Sequence, residues 1–121
     1  MVTVPGFLLR RLYVKGSLRY EDGGFAFELR NTLGSGYAHA MRPVTFDGEA
    51  ARINSTYFIL EGVKTSFAEV SRERTFTLGM NKTITITVEG VALEPGTHRI
   101  GMGFDVPGLG TLRFDVLDTI V

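Results

Sequence analysis

The stretch Thr83-Ile84-Thr85-Ile86-Thr87-Val88 alternates hydroxyl and aliphatic side chains without a fault. Successive side chains of a strand point to opposite faces, so Ile84, Ile86 and Val88 share one face and the threonines the other. Every residue in it is β-branched, the class whose restricted χ1 suits a pleated surface better than a helix. The stretch therefore reads as a strand whose aliphatic face is buried.

The same period of two extends outward on both sides. In Phe25-Ala26-Phe27-Glu28-Leu29-Arg30-Asn31, the residues Phe25, Phe27 and Leu29 fall on one face and Glu28 and Arg30 on the other. Ahead of it, Leu8 to Tyr20 is rich in leucine, tyrosine and valine and ends at Glu21-Asp22-Gly23-Gly24, a composition that favours positive φ. The expectation is a hairpin whose first strand runs through Leu8–Tyr20, with Arg10, Arg11, Lys15 and Arg19 on its outer face. Val44-Thr45-Phe46 enters Asp47-Gly48, a strong hairpin signal, and Ala51 to Leu60 supplies the returning sequence. Ser66-Phe67-Ala68-Glu69-Val70 has the spacing of a capped helical turn. Thr75–Leu78 and Thr83–Val88 are joined by a polar turn at Asn81 and Lys82. Thr97–Val106 and Thr111–Leu117 flank Pro107-Gly108-Leu109-Gly110, where proline and two glycines dictate a turn. Leu33 to Ala40, broken by two glycines, reads as an irregular loop or a bulged strand.

Eight or nine strands with turns at short intervals predict an all-β fold. The expected form is a two-sheet antiparallel β-sandwich of immunoglobulin-like type, one domain over residues 1–121, with a small β-barrel as the alternative. The chain is 44% hydrophobic and 21% charged, which is ordinary for a folded domain and far from the composition of disorder. Thirteen basic residues balance thirteen acidic ones, so no global field draws the chain to nucleic acid or an anionic membrane. Cysteine is absent, which excludes disulfides, thiolate catalysis and cysteine-ligated metal centres. Met1 to Leu9 has neither the charged segment nor the small-residue cleavage site of a signal peptide, and no window approaches a membrane helix. A cytoplasmic protein is the simplest expectation.

The chemistry is sparse. His39 and His98 are the only histidines, and no spacing gathers them with other ligands, so no metal site and no cofactor is expected. Ser35 lies near His39 without the surroundings of a nucleophile elbow, and no catalytic residue is assigned. Glu28 with Arg30, and Asp105 with Arg113 and Asp115, read as cross-strand charge pairs on solvated faces. The loop Gly34, Ser35, Gly36, Tyr37 and His39 is the candidate contact surface, with Tyr37 its best-exposed ring. Leu93-Glu94-Pro95-Gly96-Thr97-His98 reads as a structural corner: Leu93 plugs the core, Pro95 and Gly96 turn the chain, and the His98 ring bonds nearby backbone.

Three segments together resemble a known family. Phe25-x-Phe27-x-Leu29-Arg30, then Val44-x-Phe46-Asp47-Gly48-Glu49, then Val88-x-Gly90-x-x-Leu93-x-Pro95-Gly96-x-His98-x-Ile100 are similar to the landmarks of the small β subunits of C-glycoside deglycosidases. That resemblance spans about residues 25–100. It implies a β-sandwich that associates with a larger, metal-dependent enzyme subunit holding the catalytic residues, and hence an accessory part in a lyase acting on C-glycosides.

The leading functional expectation is a noncatalytic accessory or interaction subunit with a protein partner. Two alternatives stand beside it. One is a self-assembling β protein, with Tyr57–Leu60 and Ile100–Val106 as candidate edges for a homo-oligomer. The other is a carbohydrate-binding module using Tyr13, Tyr20, Tyr37 and Tyr57.

Overall fold

A computed structural model describes residues 4–21 and 23–121. Within the predicted turn at Glu21-Asp22-Gly23-Gly24, Asp22 lies outside the described residues, as do Met1 to Thr3 of the N-terminal segment. The chain opens with helix α1 (Gly6–Leu9) and a 3-10 turn (Arg10–Leu12). There follow β1 (Arg19–Glu21), β2 (Gly24–Arg30), β3 (Gly36–Ala38), β4 (Ala40–Met41), β5 (Thr45–Phe46) and β6 (Glu49–Ala50). After a 3-10 turn at Ile53–Ser55 come β7 (Thr56–Leu60), β8 (Val63–Ser66), a 3-10 turn at Phe67–Glu69, β9 (Phe76–Leu78), β10 (Thr83–Glu89), β11 (Gly96–Val106) and β12 (Gly110–Ile120).

These strands form two antiparallel sheets and a small annex. One sheet has the order β1-β2-β10-β7-β8, and the other runs β12-β11-β5-β6 with β4 also paired to β11. The annex is the pair β3-β9. The alternating stretch that opens the sequence reading is the central strand β10, hydrogen-bonded to β2 on one side and β7 on the other. Both main sheets end in edge strands rather than closing on themselves, so the molecule is an all-β sandwich and not a barrel.

The core lies where the inner faces meet. Phe25, Phe27, Leu29, Ile84, Ile86 and Val88 from the first sheet are all at most 1% exposed, opposite Ile100, Met102 and Phe114 of the second. Each such side chain contributes about 1.5–3 kcal/mol by leaving water. Aromatic contacts tie the layers: Phe25 meets Phe46 edge-on at 6.0 Å, and Phe58 meets Phe76 edge-on at 4.9 Å. The second contact fastens the annex to the first sheet, and Phe76 against Phe104 fastens it to the second.

Backbone sterics explain two turns. Asp47 (φ 52°) and Gly48 (φ 87°) both occupy the left-handed region, the type I′ pattern whose twist matches a hairpin, and β5 pairs β6 across them. Glu61 (φ 51°) and Gly62 (φ 83°) do the same between β7 and β8. The Ser66 hydroxyl accepts from Ala68 N and caps the 3-10 turn, as its spacing suggests.

Several local expectations need correction. Leu8–Tyr20 is not one strand: the chain is helical from Gly6 to Leu12, touches β2 through a lone antiparallel bridge at Tyr13 to Leu29, and begins a strand only at Arg19. Leu9, Leu12 and Tyr13 are buried at helical spacing while Arg10 and Arg11 project to solvent, a pattern that leucine-rich sequence disguises as alternation. The basic pair therefore decorates a helical turn, not a strand face. The sequence returning from Asp47-Gly48 pairs only over Glu49–Ala50 before the chain leaves for β7. Glu28 pairs with Arg19 at 3.1 Å rather than with Arg30, and Asp105 pairs with Arg42 at 3.0 Å. Tyr57–Leu60 and Ile100–Val106 are not edges, because β7 lies between β10 and β8, and β11 between β12 and β5.

Candidate functional site

The loop after β2 is organised by one buried amide. Asn31 is 4% exposed, and its Oδ1 accepts from the backbone N–H groups of Leu33 and Gly34, each at 3.1 Å. Its Nδ2 donates to Gly34 O at 2.5 Å and Leu78 O at 2.9 Å. Every hydrogen-bonding position of the amide toward the loop is thus used, which pins an otherwise irregular segment to the annex. Ser35 Oγ accepts from Met80 N at 3.1 Å, and Gly36–Ala38 pairs with Phe76–Leu78.

Beneath this loop opens a cleft of about 300 Å³. Leu9 and Leu12 of the N-terminal helical segment form one wall, and Phe104, Leu109 and Leu112 of the β11–β12 hairpin form another. Leu33, Gly34, Ser35, Gly36 and Tyr37 make the rim, where the Tyr37 ring stays 50% exposed. Among the described residues, no charged side chain lines the cleft. Asn31, the polar side chain at its base, is already fully engaged.

Of the predicted contact residues, Gly34 through Tyr37 line this cleft and His39 does not. His39 is the bend between β3 and β4, where its N–H donates to Asp105 O of β11 at 3.0 Å and its Nδ1 is buried without a partner among the described residues. Tyrosines do not form a row: Tyr13 is buried, Tyr20 donates to Leu93 O at 2.9 Å, and Tyr57 packs under Lys64 Nζ at 4.3 Å.

The corner is a separate constellation. Leu93 is buried at 8% exposure, Pro95 turns the chain, and Gly96 (φ 131°) starts β11 in a conformation that suits glycine. His98 Nε2 lies 2.6 Å from Glu94 O, and Nδ1 lies 2.5 Å from Asp47 Oδ2. Both partners are acceptors, so both ring nitrogens must carry protons for both bonds to form. The Asp47 carboxylate and then the Glu94 carbonyl accordingly hold the His98 pKa above its ordinary value. Asp47 is held below its own by the His98 bond and by the Arg99 N–H, which donates to Oδ1 at 2.9 Å. The imidazolium thereby joins the Asp47-Gly48 hairpin to the corner.

A third polar cluster has no signal in the sequence pattern. Asp118 is 6% exposed on β12; its Oδ2 accepts from Tyr13 OH at 2.8 Å, Gly16 N at 3.0 Å and Leu18 N at 3.2 Å. Burial, followed by the bond to Asp118, pushes the Tyr13 phenol well above the usual tyrosine range. These bonds clamp the N-terminal segment to β12 across about a hundred residues of chain. Among the described residues, no three His, Asp or Glu side chains converge as metal ligands, and no helix is long and apolar enough to cross a membrane.

Residues 8–121 match the family model for the hydroxymethylglutaryl-CoA reductase N-terminal domain. The chain belongs to that family. No curated protein matches it. Membership of the hydroxymethylglutaryl-CoA reductase N-terminal domain family overturns the resemblance to C-glycoside deglycosidase small subunits, since the match contains the whole 25–100 stretch on which that resemblance stood. The physical reason lies in the landmarks themselves. Asp47-Gly48 is a type I′ turn and Leu93-x-Pro95-Gly96-x-His98 a sandwich corner, and both follow from chain geometry that unrelated sandwiches share.

Proposed function

We propose that this chain is a noncatalytic docking domain that seats an apolar element of a larger enzyme polypeptide in the cleft under the Leu33–Tyr37 loop. The family's name is that of the N-terminal domain of hydroxymethylglutaryl-CoA reductase, and we read the larger polypeptide as the body of such a reductase. One observation carries the reading: an open cleft with no charged lining among the described residues, rimmed by the exposed Tyr37 ring and walled by leucines and phenylalanine. Exposed, contiguous apolar surface of this kind marks interaction sites.

A small molecule is the less fitting occupant. Specific small-molecule pockets combine apolar walls with a few free polar groups that fix orientation. Here the Asn31 amide is consumed by its own loop, and the other polar groups, the Ser35 hydroxyl and the Tyr37 phenol, stand at the rim, so the apolar interior of the cleft offers a small ligand nothing to orient it. An apolar side chain carried on a polypeptide needs no such group, because its own backbone orients it and a buried anchor supplies the affinity.

The test is size-exclusion chromatography with light scattering on this chain mixed with the reductase body from the same genome. The expected result is a stoichiometric complex that Leu109→Asp abolishes while the variant keeps its circular dichroism spectrum. A chain that ignores the reductase body, or self-associates in a way Leu109→Asp leaves untouched, overturns the proposal.

A further inference from the structure

The N-terminal helical segment has two sides. Leu9 and Leu12 face the apolar cleft, while Arg10 and Tyr13 face a second cleft of about 420 Å³ on the opposite side of the same wall. Arg10 and Arg99 reach the carboxylate of Asp115 there, and Lys15, Val116 and Leu117 complete the lining with Tyr13. Three segments remote in sequence meet at this point: the N-terminal turn, the start of β11 and the middle of β12.

We infer that this second cleft receives an acidic, leucine-bearing segment of the same partner polypeptide whose apolar anchor fills the first. The inference rests on the docking function proposed above and names the chemistry of its partner. Charge complementarity is the first argument. In a chain with equal numbers of acidic and basic residues, three cations line this cleft against the Asp115 carboxylate at its surface and the Asp118 carboxylate buried behind Tyr13, which still leaves a local positive excess. Asp115 is already divided: Arg99 Nη1 reaches its Oδ2 at 3.3 Å, and Arg10 Nη2 stands 4.0 Å from its Oδ1. Arg10 also spends its Nε–H on Asp115 O at 2.9 Å. Lys15 is exposed and pairs with no carboxylate among the described residues.

Continuity is the second argument. The two clefts share the Arg10–Leu12 turn as a wall, so a partner lying across that turn contacts both at once. The third is the lining: Leu117 is 52% exposed beside the cations, which suits an aliphatic residue next to carboxylates better than a bare inorganic anion.

The experiment uses the whole chain, labelled with 15N, and two acetylated and amidated decapeptides built from leucine, serine and four glutamates, or the same with four glutamines. Amide shifts are followed by NMR at low and high salt. With the glutamate peptide, residues around Lys15, Arg99 and Leu117 shift together with Leu33–Tyr37. The apparent affinity falls about tenfold between 25 and 300 mM NaCl and about tenfold in Lys15→Glu. The glutamine peptide moves only the Leu33–Tyr37 loop.

Equal shifts with both peptides, or an affinity indifferent to Lys15→Glu and Arg99→Gln, overturn the inference. If inorganic phosphate reproduces the shifts at the same concentration, the cleft is a small-oxyanion site and the inference also falls. If both peptides shift the Leu33–Tyr37 loop alone, and those shifts vanish in Leu109→Asp, the acidic contact falls and the docking function stands. Silence from both peptides at both clefts would sink the two together.

Discussion

Removing one oxygen from Tyr13 tests how the wall between the two clefts is held. The Tyr13 ring is 8% exposed and stacks on Phe27 at 5.3 Å, and Tyr13→Phe keeps that packing. What disappears is the 2.8 Å bond from the phenol to Asp118 Oδ2. A bond to a charged acceptor contributes about 1.5–3 kcal/mol. Asp118 retains the Gly16 and Leu18 N–H donors, so the cost belongs to the lost bond and not to an abandoned carboxylate. A loss of about 2 kcal/mol is expected, which for a chain of this size lowers Tm by about 8 °C. Differential scanning calorimetry measures it directly. The control is a double-mutant cycle with Asp118→Asn, in which Tyr13→Phe costs under about 1 kcal/mol because the charged acceptor has gone. A Tm change below about 2 °C in the wild-type background, or the same cost in both backgrounds, refutes the claim that this bond clamps the N-terminal segment.

Further outcomes follow from the same geometry. The His98 clasp requires a protonated ring, so its stabilisation is complete below about pH 6.5, the ordinary histidine value, and is lost as pH rises through the higher folded value. At the acid end the lowered Asp47 value sets the limit, and its contribution fades as pH falls below the usual carboxylate range. Thermal melts should show wild type most ahead of His98→Gln near pH 5.5 and converging with it toward pH 9; a pH-independent gap would contradict the imidazolium. Gly24→Ala should abolish soluble expression, because a Cβ there would sit 1.8 Å from Val88 O across the β2–β10 ladder. A folded, monomeric Gly24→Ala would show that the register of those two strands is wrong.

Much of the architecture was legible without coordinates where alternation is clean and turn chemistry strict. β2, β10 and the long β11–β12 hairpin carry period-two patterns between glycine- or proline-marked turns, and such patterns have one economical backbone solution. The N-terminal segment misleads because leucines at 8, 9 and 12 satisfy a strand template and a helical one alike over so short a run. β8 escapes notice because Glu61-Gly62 lacks the Asn or Asp that usually marks a type I′ turn, although its φ values are of that type. Half of the candidate site was similarly readable. Two glycines and a tyrosine flagged the Gly34–Tyr37 rim, whereas nothing local says that Leu109 and Leu9 stand opposite it.

Period, turn residues and composition alone establish an all-β chain with a Phe25/Phe27/Ile84/Ile86 core and no cysteine chemistry, since these depend on each residue and its near neighbours. The family landmarks near Asp47 and His98 were equally local, and for that reason they marked turn geometry rather than kinship. Convergence belongs to the folded state. Only the folded chain brings Tyr13 to Asp118, Arg10 and Lys15 to Arg99, and Leu12 to Leu112, because those meetings depend on how two sheets and a helical turn stack, and stacking is set by contacts between residues about a hundred positions apart.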